Sequence, residues 1–238
     1  MFDLRLGDCL ERMKEIPDGS VDLILCDLPY GTTQNKWDSV IPLDALWREY
    51  KRICRGAVVL TGAQPFTSAL VMSNPKWFKY QWVWDKSQVT GFLNAKKQPL
   101  RRHEDVLVFY KTQPKYNPQF TQGTPYSISR SHGTGNYGSQ KKNSTESDGR
   151  RYPTSLLSIP QVRAEGGHPT QKPVALMEYL IRTYTNEGDA VLDNCMGSGT
   201  TGVACANTDR KFIGIERDPG YFEIARSRIE QAHKAKAA

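Results

Sequence analysis

Short apolar runs alternate along this chain with segments in which apolar residues return at helical spacing. Val21 to Cys26, Gly56 to Thr61, Tyr80 to Trp84 and Asp105 to Tyr110 in the first half, then Ala190 to Leu192 and Lys211 to Ile215 near the end, read as strands. Between them Leu43, Leu46, Trp47 and Tyr50 fall on one helical face, as do Met177, Leu180, Ile181 and Tyr184. Asp218 followed by Pro219 is a helix-start signal, and Phe222, Ala225 and Ile229 give the helix it opens an apolar stripe. Strand and helix in alternation predict an α/β fold, a doubly wound and mostly parallel sheet.

The rhythm fails between Gln113 and about Gly167, which is rich in Gly, Ser, Thr, Asn and Pro and has no sustained period. A stretch of that length is functional or a flexible linker, and composition leaves both readings open for Ser127 to Gly149. The chain thus divides into residues 1–112, an irregular insertion at 113–167, and 168–238, with no internal repeat. Its 238 residues, 38% of them hydrophobic, are enough to bury a core without disulfides. Cys9, Cys26, Cys54, Cys195 and Cys205 sit singly, with neither metal-ligand nor redox-motif spacing, so a reduced cytoplasmic protein with no metal is expected. Met1 to Cys9 carries Asp3, Arg5 and Asp8 and no long apolar run, which predicts neither signal peptide nor membrane span.

A net charge of +7 favours a polyanionic partner. Its distribution sharpens this. From Lys111 to Arg163 the cations Lys111, Lys115, Arg130, Lys141, Lys142, Arg150, Arg151 and Arg163 face only Glu146 and Asp148, with Tyr116, Phe120, Tyr126, Tyr137 and Tyr152 interleaved. Cations suit phosphates and aromatic rings suit bases, so Lys141, Lys142, Arg150 and Arg151 are candidate nucleic-acid contacts.

The chemistry concentrates in two places. Asp27, Leu28, Pro29 and Tyr30 close the first strand-like run, and a carboxylate, a backbone carbonyl and an aromatic ring on one short loop can hold a planar base and accept hydrogen bonds from its exocyclic amine. An ordinary turn satisfies the same residues. Asp193, Asn194, Cys195, Met196, Gly197, Ser198, Gly199, Thr200 and Thr201 form a strand end, a glycine-rich turn and a helix start. Gly197, Gly199 and Gly202 match the spacing of a dinucleotide-binding turn, while the lack of a following lysine disfavours a phosphate-binding P-loop. Glu216 ends the run Phe212 to Ile215, where a carboxylate can accept both hydroxyls of a ribose. An adenosine-containing ligand fits both features.

With these residues together, the chain resembles the beta class of amino-methylating DNA methyltransferases, which use S-adenosyl-L-methionine and place the catalytic half before the cofactor half. His168, Pro169, Thr170, Gln171, Lys172 and Pro173 resemble that family's motif before its first cofactor helix, and Gly7, Asp8 and Cys9 its N-terminal segment. Asn94, Ala95, Lys96 and Lys97, with Arg101, Arg102, His103, Glu104 and Asp105, resemble a further stretch. The resemblance spans nearly everything outside Gln113 to Gly167. It implies a class I methyltransferase fold with residues 1–112 as catalytic half, 113–167 as target-recognition insertion and 168–238 as cofactor-binding half.

It also implies roles. Asp27, Leu28, Pro29 and Tyr30 would be catalytic. Asp193 and the turn Met196, Gly197, Ser198, Gly199 and Thr200 would surround the methionine part of the cofactor, Glu216 its ribose, and Asp8 with Cys9 its adenine. Thr170 and Lys172 would close the pocket, and Asp27 would border it. Leu28 stands where the family usually has proline, but leucine also supplies a carbonyl and Pro29 keeps it extended. The implied reaction is methyl transfer to N6 of a flipped adenine in double-stranded DNA, stacked on Tyr30 with Phe92 or Trp37 as the opposite wall. Cytosine N4 is the alternative target. A nicotinamide-dependent oxidoreductase is the alternative of another class, although the glycine turn then lies too near the C-terminus. A homodimer and a restriction endonuclease partner accompany the resemblance.

Overall fold

The computed structural model describes residues 1–31, 39–130, 143–161 and 171–237. It forms two compact units, residues 118–154 and the remainder. The larger unit begins with β1 (Phe2–Leu6), α1 (Cys9–Met13), β2 (Val21–Cys26), α2 (Leu43–Ile53), β3 (Cys54–Gly62), α3 (Phe66–Ser73), β4 (Phe78–Thr90) and β5 (Arg101–Phe109). The smaller unit holds β6 (Thr121–Gln122), β7 (Tyr126–Arg130), β8 (Asn143–Ser147) and β9 (Arg150–Arg151). The larger unit resumes with β10 (Leu156–Ser158), α4 (Val174–Tyr184), β11 (Ala190–Asp193), α5 (Thr200–Asn207), β12 (Lys211–Glu216) and α6 (Pro219–Ala237).

Eight strands form its sheet in the order β1-β12-β11-β2-β3-β5-β4-β10, with β5 antiparallel to both neighbours and all other pairings parallel. β2 is buried along its whole length because helices cover both faces, which is why it reads as an unbroken apolar run. Ile24 and Cys26 pack on the side of α1, α2 and α3, while Leu23 and Leu25 pack with α4, α5 and α6. Of the expected α2 stripe Leu46, Trp47 and Tyr50 are buried and Leu43 is half-buried, with Ile53 added to it, and the expected α4 stripe is buried. Asp218 caps α6 by accepting from the amides of Gly220 at 2.8 Å and Tyr221 at 3.0 Å, with Pro219 in the first turn.

A register shift between Val21 and Leu23 lets the Asp22 carboxylate accept from Arg55 Nε at 2.9 Å and from the Ala190 amide at 3.1 Å. The Asp22 carbonyl then sits where a Cβ on Gly56 would be, 1.8 Å away, so this position requires glycine.

Several elements differ from the sequence reading. β1 was not anticipated: its polar alternation, Asp3 and Arg5 each following an apolar residue, Phe2 and Leu4, reflects an edge strand packed on one face. The short helices α1 and α3 carry too few turns for a periodic signal. The segment 113–167 is less separate than its composition suggests. Lys115 Nζ reaches the Asp189 carboxylate at 2.6 and 2.7 Å, the Asn117 amide donates to Thr183 O at 2.7 Å, and β10 adds to the main sheet beside β4. Only residues 118–154 form a unit of their own.

Inside that unit β6 pairs with β9 and β7 with β8, both antiparallel. Arg151 ties them together, donating to Thr124 O and to Ser147 Oγ (2.9 Å) with its guanidinium 4.6 Å from the Tyr126 ring centroid. Arg150 is paired with Asp148 at 2.9 Å and lies over Phe120. Lys141 and Lys142 lie outside the described residues. Among the described residues no helix is long and apolar enough to cross a membrane, and no cluster of metal-ligating side chains occurs.

Candidate active site

The carboxyl ends of β1, β2, β11 and β12 open into one cavity of about 690 Å³, the position at which open α/β sheets receive ligands. The β1–α1 turn contributes Asp8 and Cys9, and the end of β2 contributes Asp27, Leu28, Pro29 and Tyr30. The β11–α5 turn adds Asp193, Met196, Gly197, Ser198 and Thr200, β12 adds Glu216, and the approach to α4 adds Lys172. Residues proposed from distant parts of the sequence therefore line one cavity. Thr170 lies outside the described residues. Gly199 does not line the cavity. Its φ is +81°, and a Cβ at this position would stand 2.9 Å from Ala225, so the glycine serves the turn and the close packing against α6.

Asp27 is the most heavily bonded side chain of the wall. Its Oδ1 accepts from Tyr30 OH at 2.7 Å and from Thr61 Oγ1, while Oδ2 accepts from Lys172 Nζ at 2.7 Å. Lys172 Nζ also lies 3.2 Å from Glu104 Oε2, and Glu104 Oε1 accepts from Lys86 Nζ at 3.1 Å. Carboxylates and ammonium groups thus alternate from Asp27 through Lys172 and Glu104 to Lys86. Burial works to lower the pKa of Lys172, but Asp27, Tyr30 and Glu104 outweigh it and hold the ammonium well above its usual range. Burial, then the Asp27 charge, push the Tyr30 phenol up, so it remains a donor. Its ring stacks on Phe66 with centroids 5.2 Å apart.

Leu28 explains its own presence. Only 3% exposed, its side chain packs in the core formed with α1, α2 and α3, and the residue also lines the cavity. Of the two rings considered as a second base wall, Trp37 lies outside the described residues and Phe92 does not line the cavity.

At the other end Glu216 is fixed by backbone donors: Gly197 N to Oε2 at 2.9 Å and Asp218 N to Oε1 at 2.8 Å. Each carboxylate oxygen has a further lone pair for a ligand hydroxyl. Asp193 is 4% exposed, accepts from Thr201 Oγ1 at 2.6 Å and Cys195 N at 3.1 Å, and is pushed by burial up to about 6. Asp8 is the N-cap of α1, accepting from Leu10 N at 2.9 Å and Glu11 N at 3.3 Å. A cavity of this size, with a carboxylate at a strand end beside a glycine turn, fits a nucleoside with a charged tail.

Sequence reasoning gave no site role to Thr61, Lys86 or Glu104 and did not pair Tyr50 with Asn194, whose Oδ1 accepts from the Tyr50 hydroxyl at 2.5 Å. It also missed that Cys9, Cys26 and Cys195 meet at the cavity, which Cys9 and Cys195 line. Hydrogen bonding from Cys195, with burial, raises Cys9; burial pushes Cys26 up to about 12; and hydrogen bonding with Cys26 raises Cys195. Burial and their mutual hydrogen bonds thus favour the thiol form of all three.

The DNA adenine methyltransferase YhdJ of Escherichia coli is 29% identical to this chain over 247 residues, covering 95% of the chain and 82% of that protein. The type II methyltransferase M.HinfI of Haemophilus influenzae is 27% identical over 263 residues, covering 94% and 67%. Among solved structures, the complex of M1.HpyAVI with SAM superposes with a TM-score of 0.66 at 26% identity, covering 96% of this chain and 99% of that one. The cytosine-N4-specific PvuII DNA methyltransferase gives a TM-score of 0.72 at 18% identity, covering 98% and 91%, a likeness of fold. The family model for N6 and N4 methyltransferases, described as DNA methylase, matches residues 21–227, which include every cavity-lining segment except the β1–α1 turn. The chain belongs to this DNA methylase family.

Proposed function

We propose that this protein transfers the methyl group of S-adenosyl-L-methionine to N6 of an adenine turned out of double-stranded DNA. The observation that carries the reading is that Asp27, held by Tyr30, Thr61 and Lys172, shares one cavity with the glycine turn and Glu216. The bound cofactor supplies an electrophilic methyl group on a sulfonium. Glu216, with its two backbone donors, is positioned to accept from ribose hydroxyls. In this reading Asp193, Met196 and Ser198, which line the cavity, would border the methionine end, and Asp8 and Cys9 the adenine end.

An exocyclic amine is a poor nucleophile because its lone pair is delocalised into the ring. Hydrogen bonds from its two N–H groups to an Asp27 oxygen and the Leu28 carbonyl favour the form in which the lone pair points at the methyl group. Holding both partners in line would supply much of the rate as the N–C bond forms and the sulfonium C–S bond breaks to leave S-adenosylhomocysteine, and Asp27 would take or relay the proton the amine then releases. Turning the base out costs a few kcal/mol, which contacts with Tyr30 offset.

Residues 118–154 are the target-recognition element of this reading, with Lys141, Lys142 and Arg150 as phosphate contacts. Arg151, already engaged within the unit, acts chiefly as its tie. A homodimer, a restriction endonuclease partner and a cytoplasmic location complete it. Adenine is preferred because the tetrapeptide begins with Asp27 and because YhdJ is an adenine enzyme.

The test is to incubate the protein with the cofactor and unmethylated genomic DNA, digest to nucleosides and identify the product by mass spectrometry. N6-methyladenine is expected; N4-methylcytosine would change the base; no product despite S-adenosylhomocysteine binding would overturn the reading. Asp27→Ala should lower turnover by about 100-fold or more while S-adenosylhomocysteine affinity stays within a few fold. Near-normal turnover would remove Asp27 from the mechanism.

A further inference from the structure

The walls of the cavity on the side of Glu104 are the roots of a long hairpin. β4 and β5 pair as far as Thr90 and Arg101, and Lys86, Gln88, Thr90, Arg101 and His103 line the cavity as they leave it. Beyond that pair the chain makes an ordered turn. The Asn94 amide donates to Gly91 O at 3.0 Å, Ala95 to Phe92 O at 3.1 Å and Lys97 to Asn94 O at 2.9 Å, with Gly91 in the left-handed region at φ +92°. Yet this well-bonded turn presents its largest apolar side chains outward: Leu93 is 101% exposed and Phe92 64%. Adjacent bulky apolar residues held out by a hydrogen-bonded turn find no partner among the described residues that would bury them.

The charge around the tip is one-sided. From Lys86 to His103 the chain carries Lys86, Lys96, Lys97, Arg101 and Arg102 and no acidic residue. Lys96, Lys97 and Arg101 are exposed, whereas Arg102 is held by Asp85 at 2.9 Å. An apolar point flanked by cations, on a hairpin whose stem lines the cavity, suits a duplex, whose phosphates flank a stack of apolar base faces.

We propose that Phe92 and Leu93 form a wedge that enters the base stack of double-stranded DNA beside the target nucleotide, with Lys96, Lys97 and Arg101 on the neighbouring phosphates. This rests on the DNA methyltransferase reading above. The wedge fills the place a base leaves when it turns toward Asp27, and its stem forms part of the cavity that receives that base.

The experiment uses an oligonucleotide duplex bearing a site found methylated in genomic DNA, with the target base either paired normally or opposite an abasic position. The double variant Phe92→Ala, Leu93→Ala should lose tenfold or more in kcat/KM on the paired duplex and two-fold or less on the duplex whose target is already unpaired. Because both side chains are exposed, its thermal midpoint and S-adenosylhomocysteine affinity should match the parent. Lys96→Gln with Lys97→Gln should reduce the slope of log affinity against log salt by about one per lost phosphate contact. Equal loss on both duplexes, no loss on either, or a change of sedimentation coefficient marking the tip as a contact between copies would each overturn the wedge. A parent protein inert on every DNA would instead refute the methyltransferase reading on which it rests.

Discussion

Replacing Asp193 by asparagine should make the protein more stable at pH 7 and a poorer binder of its cofactor. The carboxylate is 4% exposed, and its bonds to Thr201 Oγ1 (2.6 Å) and the Cys195 amide (3.1 Å) do not compensate for the loss of water, so its pKa is raised from 3.8 to about 6. A group whose folded pKa is raised binds its proton more tightly in the folded state. Below pH 3.8 both states are protonated and stability is unaffected; between 3.8 and about 6 the unfolded chain ionises while the folded one resists, and stability falls as pH rises. The difference between about 6 and 3.8, at about 1.4 kcal/mol per pH unit, makes the folded state about 3 kcal/mol less stable above pH 7 than it would be with a neutral group. Asparagine provides that neutral group with the same shape: its carbonyl can accept from Cys195 N and its amide can donate to Thr201 Oγ1. Urea unfolding of both proteins from pH 4 to 8 isolates the effect in their difference. The curves should nearly coincide near pH 4 and separate through pH 6, with the variant ahead by about 1–3 kcal/mol at pH 7. A pH-independent difference, or a variant less stable at pH 7, would refute the argument. S-adenosylhomocysteine titration should show at least a tenfold weaker complex, since the ionised group is part of the cavity wall.

Lys172→Met should destabilise the protein by about 3–5 kcal/mol, because it leaves Asp27 and Glu104 facing each other with only Lys86 between or beside them. Adding Glu104→Gln should restore part of that loss in denaturant unfolding; a single variant within about 1 kcal/mol of the parent would show that solvent compensates the charges. Tyr50→Phe removes the donor to Asn194 Oδ1 at a site where Tyr50 is 0% and Asn194 1% exposed, for an expected cost of about 1–3 kcal/mol in the same assay. An unchanged midpoint would mean that water or Cys195 takes over the acceptor.

The inner strands and the longer helices were legible because burial writes itself into sequence as period, whereas the edge strands β1 and β10 were not. β2 reads as an apolar run since helices cover both its sides, and α2 and α4 read as stripes since each covers one. What faced the cavity was legible only where the chain itself brings groups together, as in Asp27 to Tyr30 or the turn Asp193 to Thr201. Lys172 shows the boundary. Its place in a motif suggested a role at the cofactor, whereas the fold sets it against Asp27, 145 positions earlier, and Glu104 on a strand between them. No local pattern distinguishes a lysine that will be buried between two carboxylates from one that will sit in solvent, because the distinction lies in strand order. β5 lies antiparallel between β3 and β4, and it is this reversal that directs the beginning of β5, with Arg101, His103 and Glu104, to the same cavity as the ends of β1, β2, β11 and β12. Had β5 run parallel, Glu104 would enter the sheet from the opposite edge, Lys172 would lack its second carboxylate, and the hairpin carrying Phe92 and Leu93 would stand away from the cavity mouth. The antiparallel β5 therefore does for this site what no motif records: it brings the charges that hold Asp27 and the loop proposed to enter DNA to the same end of the sheet.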